Sequence, residues 1–413
     1  VKGAKNAALP ILAATLCKAG VYELYDCPKI GDFFAMLDIL HSLGAHTHWE
    51  DECLVVDSRN LSECTVSKEK MQEIRSSVFL LGSLLTRCGE ATIHRPGGCR
   101  IGKRPIDIHI NGLEELGFQV SDEDGTIRCS GTCCGGEITL PYPSVGATEN
   151  LIMAALSGKK DTIIKNCATE PEIADFAEFL KTCGFQVHGA GTDTIFIQGG
   201  AFAHRADVMY FIMEDRIEAA TYMMAVLGTG GKAAFRNIRP ELMKSVFTVL
   251  ERMGARIRAS CDVVEVSAPR NLSGAGFVVT EPYPGFPTDC QPQLLTLATA
   301  AKGLTTIREE IFESRFTHKK ELTKMGANIE ICGKNAIIKG ITPLRGAEVE
   351  AYDLRGGAAL AMAALMAQGR SEIKQIEHIS RGYEDFEEGI RSLGGLIERK
   401  KYEEKKKTYE PVS

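Results

Sequence analysis

The amino-acid sequence predicts an α/β protein made of six copies of one βαβαββ-type unit, grouped as two domains of three. A chain of 413 residues is too long for one ordinary hydrophobic core. A glycine between apolar residues recurs through the whole chain at spacings of 73, 67, 70, 72 and 68 residues, which indicates an internal repeat. The six triplets are Leu43-Gly44-Ala45, Leu116-Gly117-Phe118, Cys183-Gly184-Phe185, Met253-Gly254-Ala255, Met325-Gly326-Ala327 and Leu393-Gly394-Gly395.

Each repeat glycine follows an amphipathic helical pattern, for example over residues 176–182 and 243–252. A glycine in that place is typical of a helix C-cap. Alternating apolar and polar residues usually follow, as at 185–188 and 255–258, which predicts a strand.

A second helical segment precedes the amphipathic one in most units and is apolar nearly all round. These segments are residues 7–16, 150–156, 219–227, 292–301 and 357–367. Helices of this kind are expected to be buried. Strand-like pieces such as 162–165 and 233–236 lie between the two helices. We therefore predict that three units surround a core of their buried helices, with the sheets outside. The junction falls at 203–213, so the domains span 1–213 and 214–413.

The amino-acid composition limits the classes of protein to which this chain can belong. A hydrophobic content of 44%, a charged content of 25% and a net charge of −6 are those of a soluble globular protein and argue against a general nucleic-acid binder. The longest apolar run, 358–367, is too short to span a membrane. Fourteen scattered cysteines, with no visible signal peptide, predict reduced cytosolic thiols and no metal site. The chain begins at Val1 and looks as if it lacks a short leader.

One loop combines a cysteine with unusual positive charge. Cys99 follows Gly97-Gly98 and has Arg95, Arg100, Lys103 and Arg104 within five residues. Neighbouring cations lower the pKa of a thiol, and they also hold phosphate or carboxylate groups. The alternative is a glycine turn that carries a buried, inert cysteine.

The segment 95–109 resembles the catalytic loop of the UDP-N-acetylglucosamine 1-carboxyvinyltransferases, a family of enolpyruvyl transferases, and the likeness extends over essentially the whole chain. The resemblance implies two inside-out α/β barrels joined by a double crossover, the second completed by an N-terminal strand absent here. It also implies a cytoplasmic enzyme of peptidoglycan synthesis that needs no cofactor or membrane. Its substrates would be phosphoenolpyruvate and UDP-N-acetylglucosamine, and fosfomycin would alkylate its loop cysteine.

The same resemblance implies the site residues. Cys99 would be the general acid and adduct-forming thiol, Asp289 the general base, and Lys5 the third catalytic residue. Phosphoenolpyruvate would be bound by Lys5, Asn6, Arg104, Arg315, Arg355 and Arg381. The nucleotide sugar would be bound by Arg75, Arg104, Pro105, Ile106, Asp107, Ile108, Tyr142, Pro143, Ser144, Val145, Gly146, Asp289 and Ile311.

Several of these assignments have a plainer alternative. Lys5 could be a solvated lysine, Ser144 and Asp289 could be ordinary helix caps, and the arginines could form surface ion pairs. Two other functions also stay open at this point. One is a relative that acts on shikimate 3-phosphate, which would lack the Pro96-Gly-Gly-Cys99 pattern. The other is a silent paralogue that binds nucleotide sugar without turnover.

Overall fold

The repeated unit recurs through the part of the chain that the structure describes, and its last copy is shorter than the others. The computed structural model describes residues 1–97, 101–102, 105–200, 206–341 and 343–400. The first unit contains α1 (Lys5–Ala14), β1 (Gly20–Tyr25), α2 (Gly31–Ser42), β2 (His46–Glu50) and β3 (Cys53–Asp57). The second contains α3 (Lys68–Glu73), a 3₁₀ turn (Arg75–Phe79), α4 (Leu80–Cys88), β4 (Glu90–His94), α5 (Asp107–Glu115), β5 (Gln119–Glu123) and β6 (Thr126–Ser130).

The next two units lie on either side of the predicted junction. The third contains β7 (Gly136–Thr139), α6 (Val145–Ala155), β8 (Thr162–Lys165), α7 (Pro171–Thr182), β9 (Val187–His188) and β10 (Thr194–Ile197). The fourth contains β11 (Ala206–Phe211), α8 (Arg216–Gly228), β12 (Lys232–Arg236), a 3₁₀ turn (Pro240–Met243), α9 (Lys244–Arg252), β13 (Arg256–Ser260) and β14 (Val263–Ser267).

The last two units complete the chain. The fifth contains β15 (Gly276–Thr280), a 3₁₀ turn (Thr288–Cys290), α10 (Gln291–Thr299), β16 (Leu304–Glu309), α11 (Lys319–Lys324), β17 (Ile329–Cys332) and β18 (Asn335–Lys339). The sixth contains β19 (Glu348–Glu350), α12 (Leu354–Met366), β20 (Glu372–Lys374), α13 (Glu377–Ser380) and α14 (Phe386–Ser392). In the part of the chain that is described, the predicted hairpin after α14 is not formed.

The six repeat glycines do what the sequence predicts. All six have φ between 88° and 101°, the left-handed region that favours glycine. In the third unit, Gly184 N–H donates to Lys181 O, and Phe185 N–H donates to Leu180 O. These two bonds satisfy carbonyl groups at the end of α7 and turn the chain toward the next strand.

The apolar helices are inside and the sheets are outside. α1, α4 and α6 contact one another in the first half, and α8, α10 and α12 contact one another in the second. Every residue from Ala7 to Ala14 is buried, which explains why α1 has no polar face. Among the described residues the strands form six separate sheets, one for each unit, rather than closed barrels.

One strand crosses between units. β11 is the first strand of the fourth unit in sequence but pairs in parallel with β1, from Gly20–Ala206 to Tyr25–Phe211. The first sheet therefore has the order β11-β1-β3-β2. Buried apolar residues form two clusters, one ending at Met213 and the other beginning at Ile217. These clusters support a domain boundary at 213, which stays a prediction.

The sequence does not predict two details of local structure. The segment that follows Arg75 begins as a 3₁₀ turn and becomes an α-helix only at Leu80. The first helix begins at Lys5 rather than near Ala7. No helix among the described residues is long and apolar enough to cross a membrane.

Candidate active site

Asp289 lies between two buried arginines. It sits in the 3₁₀ turn before α10, and its Oδ1 accepts a hydrogen bond from Arg315 Nη2 at 2.6 Å. Its Oδ2 accepts from Arg355 Nη2 at 3.3 Å. The side chain of Asp289 is 26% exposed, whereas both arginine side chains are almost fully buried. Asp289 is therefore not an ordinary helix cap, and the two arginines are not surface ion pairs.

The charges around Asp289 keep it ionised. Burial alone would raise the pKa of this carboxyl group. Arg355 and then Arg315, followed by Lys5 and a hydrogen bond from Asn6, outweigh that effect and hold the pKa well below its ordinary value. Asp289 therefore carries a negative charge at neutral pH.

A second carboxylate joins residues from the two ends of the chain. Asp32, at the start of α2, lies 2.7 Å from Lys5 Nζ through Oδ2 and 2.7 Å from Arg381 Nε through Oδ1. Its backbone N–H also donates to Arg381 O at 3.4 Å. Gly31 permits this approach, because a Cβ at that position would lie 3.3 Å from Arg381 Cα. The two halves of the chain thus meet at one carboxylate.

The backbone of Lys5 is held by another aspartate. Lys5 N–H donates to Asp215 Oδ2 at 3.3 Å, while Asp215 Oδ1 caps α8 by accepting from Ile217 and Glu218 N–H. Burial lowers the pKa of Lys5, and nearby Arg355 and Arg381 lower it further, although Asp32 opposes the shift. Lys5 is thus a desolvated, tightly held amine rather than a solvated lysine.

The predicted nucleotide-sugar residues lie in two segments. Arg75 begins the 3₁₀ turn before α4, and its Nη2 donates to Pro105 O at 3.5 Å. Ile106 is buried, Asp107 is exposed at the start of α5, and Ile108 is partly buried beside it. The structure thus brings Arg75 next to the segment 105–108.

The second segment is the turn that enters α6. Tyr142 is 41% exposed, and Pro143 and Val145 flank Ser144. Ser144 caps the helix, since its Oγ accepts from Ala147 N–H at 3.4 Å. Gly146 faces the ring of His109, which contacts Asn150 through Nδ1 at 3.0 Å. The helix-cap interpretation of Ser144 is therefore what the structure shows, and diphosphate binding there stays a prediction.

The Cys99 loop touches the second half of the chain where it is described. Ser314 N–H donates to Ile101 O at 3.0 Å, next to the arginine that pairs with Asp289. Ile311 N–H donates to Glu309 Oε1 at 2.9 Å, and its contact with the nucleotide sugar stays a prediction. Cys99 and Arg104 lie outside the described residues, so their predicted roles are unaffected.

Several residues that shape this region were missed from sequence. Besides Asp32 and Asp215, Glu172 and Arg216 form a buried pair across the junction, with Arg216 Nε 2.9 Å from Oε1 and Nη2 3.1 Å from Oε2. An acidic residue in the first turn of a helix is common and carries no functional signal by itself. Within the described ranges, no cluster of three or more histidine, cysteine or acidic residues could hold a metal ion.

Comparison with known proteins identifies relatives over nearly the full chain. The family model "EPSP synthase (3-phosphoshikimate 1-carboxyvinyltransferase)" matches residues 1–390. UDP-N-acetylglucosamine 1-carboxyvinyltransferase 2 of Caldanaerobacter subterraneus subsp. tengcongensis is 41% identical, with 97% of this chain and 95% of the relative covered. UDP-N-acetylglucosamine 1-carboxyvinyltransferase 1 of Symbiobacterium thermophilum is 44% identical, with 97% and 91% covered.

Solved structures support the same fold at lower identity. The enolpyruvyl transferase NikO from Streptomyces tendae superposes with a TM-score of 0.86 at 24% identity, with 96% of this chain and 94% of that chain covered. The EPSP synthase from Acinetobacter baumannii gives a TM-score of 0.72 at 19% identity, with 95% and 94% covered. The two-domain inside-out arrangement is consistent with both.

Proposed function

Since the chain belongs to the UDP-N-acetylglucosamine 1-carboxyvinyltransferases, within the wider EPSP synthase family, we propose that it transfers enolpyruvyl from phosphoenolpyruvate to the 3-hydroxyl of UDP-N-acetylglucosamine and releases phosphate. This reaction is the first committed step of peptidoglycan synthesis. We expect it to take place in the cytoplasm, without a metal or organic cofactor and without a nucleic-acid partner.

The observation that carries the proposal is the set of charges between the two halves of the chain. The ion pairs there combine four cationic side chains, Lys5, Arg315, Arg355 and Arg381, with two carboxylates. Phosphoenolpyruvate carries two anionic groups close together, and buried arginines and lysines are suited to hold them. Asn6 adds an uncharged donor beside Asp289.

We assign the general-base role to Asp289. It is ionised, partly exposed and aligned by hydrogen bonds to both oxygens, so it can accept the proton of the attacking hydroxyl. Its low pKa makes it a weak base in the absence of substrate. An anionic substrate bound against Arg315 and Arg355 would offset their field and make Asp289 more basic.

The remaining steps fall to the Cys99 loop. Cys99 would donate a proton to the methylene carbon of phosphoenolpyruvate while the sugar oxygen bonds to the neighbouring carbon. The resulting Cys99 thiolate would then take a proton back from the new methyl group as phosphate departs, which restores the double bond. Arg104 would neutralise the leaving phosphate, and Lys5 would bind the same substrate.

The test is phosphate release from phosphoenolpyruvate with UDP-N-acetylglucosamine or shikimate 3-phosphate as the acceptor. We expect release with the nucleotide sugar only. Release with shikimate 3-phosphate only would assign the chain to the other branch of the family. Binding of the nucleotide sugar without release would indicate the silent paralogue.

The Cys99→Ser variant tests the acid role within that assay. A hydroxyl is a much weaker acid than a thiol, so turnover should fall sharply while the melting temperature stays unchanged. Activity like that of the wild type would remove Cys99 from the mechanism.

A further inference from the structure

We propose that Tyr383 is a positioning residue whose ring, anchored by Thr221 and Gln293, holds the guanidinium group of Arg355 against Asp289. The inference rests on the proposed function, because Asp289 matters as a base only if a hydroxyl proton is removed there. The contact between ring and guanidinium can nevertheless be tested without turnover.

The Tyr383 ring and the Arg355 guanidinium face each other in the protein interior. Arg355 Cζ lies 5.2 Å from the centroid of the Tyr383 ring, and each residue is only 2% exposed. At that distance a cation is attracted to the face of an aromatic ring, most strongly when both groups are desolvated. Among the described residues, the Arg355 guanidinium donates a long hydrogen bond to Asp289, at 3.3 Å, and it also interacts with the Tyr383 hydroxyl. The ring therefore supplies much of what fixes this guanidinium.

Hydrogen bonds fix the ring in turn. Thr221 Oγ1 donates its only proton to Ile217 O at 2.9 Å. The 2.8 Å contact between Thr221 Oγ1 and Tyr383 Oη therefore has tyrosine as the donor. Gln293 Nε2 donates to Thr221 Oγ1 at 2.9 Å and to Tyr383 Oη at 3.2 Å.

The two anchors, and Arg355 itself, come from the inner helices. Thr221 lies on α8, Gln293 on α10 and Arg355 on α12, the three helices that form the core of the second half. Tyr383 thus connects these buried helices to the charged site. If the ring were lost, Arg355 would be free to move away from Asp289 Oδ2. Arg315 alone would then hold the carboxylate, through Oδ1.

The experiment compares Tyr383→Leu and Tyr383→Phe with Tyr222→Leu. Tyr222 belongs to the same aromatic cluster, with its ring centroid 6.5 Å from that of Tyr383. Its replacement controls for the loss of core packing. We expect Tyr383→Leu to lower kcat about 30-fold, equivalent to about 2 kcal/mol, with a smaller effect on KM. Tyr383→Phe keeps the ring but lacks the hydroxyl that Thr221 and Gln293 hold, so its kcat should fall by less than that of Tyr383→Leu. Tyr222→Leu should reduce the melting temperature to a similar extent but leave kcat within about twofold.

An activity-independent signal completes the test. The ring current of Tyr383 should shift the Arg355 side-chain N–H resonance in ¹⁵N-arginine-labelled protein, assigned by its disappearance in Arg355→Lys. The shift should persist in Tyr383→Phe and Tyr222→Leu and vanish in Tyr383→Leu. An unchanged resonance in Tyr383→Leu, or equal loss of kcat in all three variants, would overturn the proposal. A wild-type protein that shows the shift but no turnover would refute the proposed function and leave the ring contact established.

Discussion

Glu218 should make the protein less stable as the pH rises, and its replacement by glutamine should remove that effect. The side chain lies in the first turn of α8, is 5% exposed and accepts one hydrogen bond, from Lys2 N–H at 3.2 Å. Burial, together with the nearby negative charges of Asp215 and Glu384, raises the pKa of Glu218 to about 7.

The size of this effect on the free energy of unfolding follows from the difference in the pKa of Glu218 between the unfolded and folded states. A pKa of 4.5 in the unfolded chain and about 7 in the folded protein differ by about 2.5 units. At about 1.4 kcal/mol for each unit, this corresponds to roughly 3 kcal/mol. The folded state binds the proton of Glu218 more tightly than the unfolded chain does. The destabilisation caused by ionised Glu218 is therefore absent below pH 4.5, grows as the pH rises and is complete above 7. Glu218→Gln should therefore match the wild type at pH 4.5 and exceed its free energy of unfolding by up to about 3 kcal/mol at pH 8.

The assay is urea denaturation of both proteins at a series of pH values, with Glu214→Gln as a matched control. Glu214 accepts from Arg239 Nε at 2.8 Å and from Nη2 at 3.1 Å. Although burial opposes the shift, these bonds lower the pKa of Glu214, so its contribution is present above the ordinary pKa and lost in acid. Glu214→Gln should thus be destabilising at pH 8. The reasoning is refuted if both variants change stability with the same sign at pH 8, or if the effect of Glu218→Gln does not vary with pH.

Three further predictions concern the site and the repeat. Asp32→Asn removes the charge shared by Lys5 and Arg381, and we expect kcat/KM for phosphoenolpyruvate to fall at least about tenfold; an unchanged value would show that the bridge is dispensable. Gly184→Ala places a side chain at φ = 90° and should lower the free energy of unfolding by about 1–2 kcal/mol in denaturant titrations, whereas no loss would contradict the C-cap argument. Glu172→Gln leaves a buried guanidinium without its counter-charge and should cost about 3–5 kcal/mol by the same method. Adding Arg216→Met should recover more than half of that loss, and a purely additive double variant would contradict the pairing.

The sequence predicts the repeat well because its signals are local. A glycine that ends a helix needs only its own backbone conformation, and all six adopt it. The apolar helices are identified for the same reason, since burial on every side leaves no polar stripe. Their predicted ends miss by a few residues because the first and last turns carry weaker patterns.

The site is harder to predict because its contacts are distant in sequence. Asp32 and Arg381 are separated by 349 positions, and Glu172 and Arg216 by 44. The sequence around Asp32 and Glu172 does not distinguish them from the carboxylates that are common at the start of a helix. Asp289 is the opposite case, because its place before α10 would by itself suggest a helix cap, whereas the fold places two arginines against it.

The crossing strand β11 has a consequence for dividing this chain. A fragment that stops at residue 200 would keep the helices of the first three units but would expose β1 as an unpaired edge along Gly20–Tyr25. Unpaired edges recruit strands from other molecules, so such a fragment should self-associate or aggregate. A first half meant to exist alone must therefore extend through Phe211 and borrow its last strand from the connection to the second half.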